Sequence, residues 1–393
     1  MAVTMITGNS TSLRYLNQSQ RVIDISDKIY LLEPNVAPLY VLVSKLNKRV
    51  TINPQFYWME DQLRPDWSTL TDTAAKDTTD ISASNPTYFA KYDLIKFPVD
   101  GEVCLITGIG TTQLTAVRGF GTTACATKAS GADFFRIGTA FEEGSAYSTL
   151  SAKATQVTSA TNYCQIFRTA IDITRTAANS ELYGGSDRAY QRKKKGIEFM
   201  RDLERAFFWG EPLQDNATLD TSITYTRRTT GGIDYYISTN VTAAGGTLTE
   251  SEFEGFLRSV FRYGSDSRYF FAAPLILSVI SQWAQGKLNM FPKDKTYGVN
   301  ITNYISPHGT LNFVKEVLLE HAGVASATSY YAGYAFALDL GEISYRYLQN
   351  RDVTMETDIQ LPGDDSYKDQ YICEVGMEFH QEKVHGNLTG VTG

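Results

Sequence analysis

In the middle of the chain, across residues 163–210, the alternation of apolar and polar residues changes from the period of a strand to that of a helix. A polar, Thr-rich segment alternates as a strand does and passes through the turn Tyr183-Gly184-Gly185-Ser186. Beyond it Tyr190, Ile197, Met200, Leu203 and Phe207 recur at helical intervals, with Arg188, Lys193, Lys194, Lys195, Arg201 and Arg205 between them. The spacing predicts one helix over Asp187–Trp209, opened by Ser186 as N-cap and stopped by Gly210, with Pro212 just beyond. At about 1.5 Å per residue it spans roughly 35 Å. Its apolar stripe is too narrow to bury it inside a globule, so the helix is expected to lie across a surface and to need neighbours.

The flanking sequence is organised around that helix. Residues 1–20 are rich in Ser, Thr, Asn and Gln and predict an arm. Val22, Ile25 and Ile29 fit a helical face that Pro34 breaks, with Pro38 following. Strand pieces at 56–63 precede the Thr/Asp/Ser run 69–87, which reads as an extended excursion too polar for core and too long for an ordinary turn. Residues 86–145 predict a small β-unit, with strands at 103–107 and 114–118 and Gly108 and Gly110 punctuating the turn between them. Further on, 224–240 is strand-like and turn-rich. Thr249 and Glu252 form a capping-box pattern ahead of a helix whose apolar face is Phe253, Phe256, Leu257 and Val260. A strand at 268–274 leads into a second helix after Pro274. Alternating segments follow at 311–319, 334–340 and 343–348, then strands at 352–360 and 370–379, before the closing 385–391. The class is α+β, with a discontinuous domain.

At 393 residues the chain is long enough for two or three domains with real cores. Its net charge of −7 argues against a protein whose main task is to grip nucleic-acid phosphates. Aromatics make up 12% of the residues, a content that fits interfaces and aromatic β-structure equally. Cys104, Cys125, Cys164 and Cys373 are scattered, which fits a reducing compartment and no disulfide framework. His308, His321, His380 and His385 show no metal-ligand spacing with them, and His380 and His385 read as ordinary polar or packed histidines. No leader-like start and no run of 18 apolar residues is present. The glycines from Gly108 lack the third glycine of a dinucleotide loop and no helix follows them. Paired carboxylates are adjacent, as Glu60-Asp61 and Glu142-Glu143, so on a strand they point to opposite faces; Asp364-Asp365 sits in a turn composition. The basic run Arg192–Lys195 reads as a solvated face or one that meets acidic neighbours, in preference to a DNA contact. No catalytic residue, metal ligand or cofactor site is assigned.

Residues 162–204 resemble the centre of tailed-phage major capsid proteins with the Hong Kong 97 fold. The nearer likeness is to a podovirus-type subfamily with a β-insertion in the extended loop. The residues that carry it are Asn162, Gln165, Ile166 and Phe167, then Tyr183-Gly184-Gly185, then Ala189-Tyr190-Gln191 and Arg201 through Ala206. Two further patches agree: 56–63, and 118–122 with 137–144. The resemblance implies an N-terminal arm (1–50), an extended loop (51–161) bearing an insertion at about 86–145, a peripheral domain (162–239 and 345–393) with the spine helix 187–209, and an axial domain (240–344). It implies a structural subunit, not an enzyme, assembling as pentamers and hexamers into an icosahedral virion shell. That shell would enclose double-stranded DNA without sequence-specific contacts and be built in the host cytoplasm with portal, scaffolding and decoration partners, away from membranes. Some such proteins crosslink a lysine to an asparagine between subunits; no pair is assigned here. The alternatives are another virion or surface β-protein, such as a tail tube or adhesin, which predicts no long helix between two β-regions, and an enzyme, which needs convergent titratable groups in one pocket.

Overall fold

Short apolar strands and one long amphipathic helix divide the chain between two units. The computed structural model describes residues 37–146, 153–180, 186–287, 303–320 and 332–392. One unit is Met59–Ala160 and the other is the remainder of the chain. The expected arm at 1–20, the helical face at 22–29, the turn at 183–185 and His321 lie outside the described residues.

In the larger unit a mixed sheet is built around the 14-residue strand Ser366–Phe379. Gln165–Thr174 pairs with it antiparallel from Gln165 opposite Val375 to Thr174 opposite Ser366. On its other side lies Ile343–Leu348, and Lys48–Thr51 then adds in parallel. The helix Asp187–Trp209 packs on this sheet: Phe199, Leu203, Phe207 and Phe208 share a core with Phe167, Cys373, Val375 and Met377. The expected bounds of the helix hold, but the expected stripe does not. Met200 is 37% exposed, while Phe199, Glu204 and Phe208 are buried. The apolar face widens toward the C-terminus, because Phe208 also reaches Phe271 and Phe336 of the next sheet, so the last turns of the helix are core. Ser186 occupies the N-cap but makes no side-chain cap bond. The helix ends as the chain turns extended at Gly210, where no larger residue fits: a Cβ there would lie 2.3 Å from the Thr230 carbonyl oxygen.

The second sheet of this unit runs Val241–Gly246, Gly386–Val391, Ala335–Leu338, Ser267–Ala272, Gly309–Lys315, Asn303–Ser306. Ala335–Leu338 is central and buried along its whole length, which explains its unbroken apolar run. The helix Glu250–Val260 opens with the expected capping box and lays Phe253, Phe256, Leu257 and Val260 on the sheet, joined by Ile276, Val279 and Ile280 of Pro274–Lys287. The region 224–240 holds only a three-residue strand, Arg227–Thr229, followed by the helical turn Ile233–Tyr236, and 352–360 holds only Thr354–Glu356. The helix Pro38–Leu46, inside the segment expected to be an arm without core, buries Leu39 and Val43 against the long helix.

The smaller unit is one six-stranded sheet, ordered Trp67–Thr69, Asp133–Thr139, Asp93–Lys96, Val103–Ile109, Gln113–Val117, Asp80–Ser82. Its core is Phe89, Ile95, Phe97, Cys104, Ile106, Leu114, Ala116 and Phe134, together with Leu70, Ala74, Ile81 and Ala83. Those last four come from the run 69–87, which is therefore not an excursion outside the core. Its apolar residues are small and isolated among Thr and Asp, so no period is visible, yet each one points inward through short pairings such as Leu70 with Ala83 and Ala74 with Lys128.

Candidate functional site

The basic start of the long helix is fixed by one buried carboxylate. Asp369, in the strand Ser366–Phe379, accepts hydrogen bonds from Arg188 Nη2 at 2.6 Å, Arg192 Nε at 2.8 Å and the Asp358 amide at 3.0 Å. The Arg188 guanidinium holds this carboxyl well below the usual carboxylate range and also stacks over Tyr367. A turn later Tyr371 donates its hydroxyl to the Arg192 carbonyl at 3.0 Å, and Gly196 leaves space for that ring. The Arg192–Lys195 run thus meets acidic neighbours at both ends, Arg192 with Asp369 and Lys195 with Glu198 at 2.6 Å.

Asn162 and Gln165, two residues that carry the resemblance, form a backbone clamp. The Asn162 amide donates to the Gly231 and Met377 carbonyls at 3.1 and 2.6 Å, and its oxygen accepts from the Gly231 amide at 2.7 Å. Gln165 Oε1 accepts from the Thr230 amide at 3.1 Å. Fully buried, Asn162 locks the loop after the long helix to the strand Ser366–Phe379.

In the smaller unit Glu102 is the counterpart of Asp369. It is fully buried and accepts from Arg118 Nε and Nη2 at 2.7 and 2.9 Å, from Lys128 Nζ at 2.5 Å and from the Gly119 and Ala126 amides. Burial opposes its charge, but the bonds from Arg118 and Lys128 outweigh that and hold it far below the carboxylate range. This staple fixes the loop 118–128 to the sheet. The sheet face opposite the core carries Trp67 directly across from Phe135, then Ile137 two residues on, Leu94 across from Leu105, and Leu105 across from Val117. Trp67, Ile137 and Val117 are each about half exposed, an outward apolar face of the kind that marks contact surfaces.

The residues weighed for chemistry do not converge. Glu60 ends its strand, and Asp61 accepts from Thr155 at 3.0 Å. Glu142 and Glu143 are exposed, and Asp364 pairs with Lys368 at 2.8 Å. His385 is enclosed against Phe379, where burial lowers it to about 3; its Nδ1 accepts from the Asp339 amide. His380 sits between Glu378 at 2.8 Å and Glu342 at 3.5 Å, beside Trp58, and Glu378 raises it above its ordinary value. Burial pushes the thiols of Cys104, Cys164 and Cys373 up to about 12, the reverse of an activated nucleophile. A cleft of about 290 Å³ includes Asn47, Tyr269 and Asp339, and one of about 400 Å³ includes Cys164, Tyr225, Arg228 and Glu374. Among the described residues no group of three or more His, Cys, Asp or Glu side chains is placed to hold a metal.

A long helix laid on a sheet and a separate β-unit carried between two strands of the main body define a phage-capsid architecture of the Hong Kong 97 type. The fold matches the capsid of a native GTA particle with a TM-score of 0.50 at 9% identity, over 98% of this chain and 100% of that one. Mycobacterium phage Bobi matches at 0.47 and 8% identity, over 97% of this chain and 99% of that one. A curated "Major capsid protein" of Pseudomonas phage PaMx41 is 24% identical over 301 residues, 73% of this chain and 69% of that protein. Residues 5–392 match the family described as SU10 major capsid protein, and the chain belongs to that family. It is a major capsid protein of a phage, a virion component that assembles as a lattice of many copies, and the tail-tube and adhesin alternatives fall away.

The signals behind the site were of unequal visibility. Asn162 and Gln165 were singled out by sequence, and Glu204 fell within the resembling run Arg201–Ala206 with no role attached to it, whereas Asp369 and Glu102 stand among polar neighbours in or beside strands, and only the pairing of distant segments separates them from surface acids.

Proposed function

We propose that this subunit closes, with many copies of itself, the icosahedral shell of a tailed phage around double-stranded DNA, through pentamers and hexamers, and that it carries out no catalysis. The outward apolar face of the inserted β-sheet is the observation that carries this reading: Trp67, Phe135, Ile137 and Val117 need a covering surface. The division is read as an arm (1–50), an extended loop (51–161), a peripheral domain (162–239 and 345–393) and an axial domain (240–344), of the podovirus-type subfamily. DNA is enclosed without sequence-specific contacts, in keeping with the net charge of −7. Portal, scaffolding and decoration proteins are the expected partners, and assembly belongs in the host cytoplasm. Expression of the chain alone in bacteria, followed by sedimentation and negative-stain electron microscopy, tests the reading. Closed shells, sheets, or rings of five or six subunits are expected. A lasting monomer or dimer at high concentration, with scaffold and portal supplied, would overturn it.

A further inference from the structure

The carboxyls of Glu204 and Glu316 take no part in the contacts described so far. Glu204, on the long helix, is fully buried, and each of its oxygens is engaged: Oε1 accepts from the Leu39 amide at 2.8 Å and Oε2 from the Tyr40 amide at 2.7 Å. After Pro38, which has no N–H, these are the first amides of the helix Pro38–Leu46. A side chain from one helix therefore closes the N-terminus of another, from 165 residues away. That helix has no side-chain cap of its own. Its N-cap, Ala37, sits at φ 50°, ψ 56°, a left-handed conformation that alanine ahead of proline keeps only where its surroundings hold it.

Glu316, between the strand Gly309–Lys315 and the helical turn Val317–Leu319, is also fully buried and faces Glu204. Its Oε1 accepts from the Leu318 amide at 2.9 Å, and no amide, hydroxyl or cation among the described residues donates to its Oε2, which leaves the Glu204 carboxyl to share a proton with it. The groups around the pair are the three amides, the two carboxyls themselves and Tyr40, whose ring packs edge-on against Tyr345 at 5.8 Å. On the long helix Arg201 and Arg205 are near in sequence, and Arg205 is paired with Asp202; on the strand side Lys315 precedes Glu316 and is exposed. Among the described residues no cation forms an ion pair with either carboxyl. Burial, and for Glu204 the charge of Glu316, raise both above the ordinary glutamate range. Two enclosed carboxylates without a cation cannot both stay charged, so the pair holds its last proton to a higher pH than a free glutamate does and titrates as one unit.

We propose that Glu204 and Glu316 form a proton-operated latch on the helix Pro38–Leu46: with one proton between them the helix is docked, and loss of that proton to solvent frees it. The sign follows from the direction of the shift. A raised folded value means that docking is fully supported below the ordinary value of 4.5 and is lost as pH rises through the folded value. Release also relaxes Ala37, while the burial of Leu39 and Val43 opposes it. The latch belongs to a single subunit and holds whether or not the shell reading does.

The test is hydrogen exchange of residues 39–46 in the full chain from about pH 6 to about pH 9, each rate divided by the intrinsic rate at that pH. Protection of 39–46 should fall by up to about tenfold per pH unit above the pair's upper titration, while the helix Glu250–Val260 keeps its protection. In E316Q the side-chain amide is expected to donate to Glu204 at every pH, and protection should be flat. A flat wild-type profile, or E316Q falling in parallel, would overturn the proposal. Should E316Q fail to fold, the wild-type infrared spectrum decides: a protonated-carboxyl C=O band at neutral pH that vanishes together with the protection supports the latch, and its absence overturns it.

Discussion

At the scale of single residues, the charges that matter are those enclosed with their partners. Glu102 is paired with Arg118 and Lys128, both almost fully buried, so Glu102→Gln leaves Arg118 without a carboxylate and Lys128 with Asp100 alone. The expected loss is about 3–5 kcal/mol in the smaller unit, read as faster hydrogen exchange across 94–139; unchanged exchange would show the staple to be dispensable. Because its folded value is depressed, the stability Glu102 supplies is present above the ordinary 4.5 and lost as pH falls through the folded value, so the unit should weaken in acid. His380 runs the other way. Raised above 6.5 by Glu378, it supports the fold when protonated, and that support is lost as pH rises through its raised value. Trp58 packs edge-on against its ring at 6.3 Å, so tryptophan emission should titrate above pH 6.5, and H380Q should abolish the transition. An identical titration in H380Q would assign it elsewhere.

At the scale of elements, the long helix is held by ions at its start and by packing at its end. Leu203 is completely buried, so Leu203→Ala should cost about 2–5 kcal/mol in denaturant unfolding, whereas Met200→Ala, at a partly exposed position, should stay within about 0.5 kcal/mol. Equal losses at the two positions would contradict the orientation of the helix. The capping box of the helix Glu250–Val260, with the Glu252 amide donating to Thr249 and the Glu252 carboxylate accepting from it, should make Thr249→Ala cost about 1 kcal/mol. Both helices were legible in sequence, because helical period and caps are local. The run 69–87 was not, since four small apolar residues among threonines and aspartates carry no period of their own.

At the scale of the whole molecule, the subunit carries a β-unit with a core separate from that of the main body. Gln55–Glu60 and Thr158–Tyr163 pair as neighbouring strands, so a short turn can join them once 63–155 is removed. This shortened chain should fold, with the unfolding transition of the main body retained, and should fail to form stable shells in electron micrographs. Shells like those of the full chain would argue that the inserted sheet makes no intersubunit contact. A deletion confined to 86–145 is a poorer test, because it leaves Leu70, Ala74, Ile81 and Ala83 without the core they fill.

The sequence by itself determined the α+β class, the bounds of the long helix, the capping box and the capsid resemblance carried by Asn162, Gln165 and the helix. These depend on neighbours within a turn or a strand, and such patterns survive in a linear reading. Only the tertiary structure decided which acids are surface charges and which are enclosed: Asp369, Glu102, Glu204 and Glu316 look alike in sequence, and what encloses them comes from segments up to 181 positions away. It also decided that Pro38–Leu46 belongs to the core and that the last turns of the long helix are buried. Burial is a property of what arrives from elsewhere in the chain, and no local period records it.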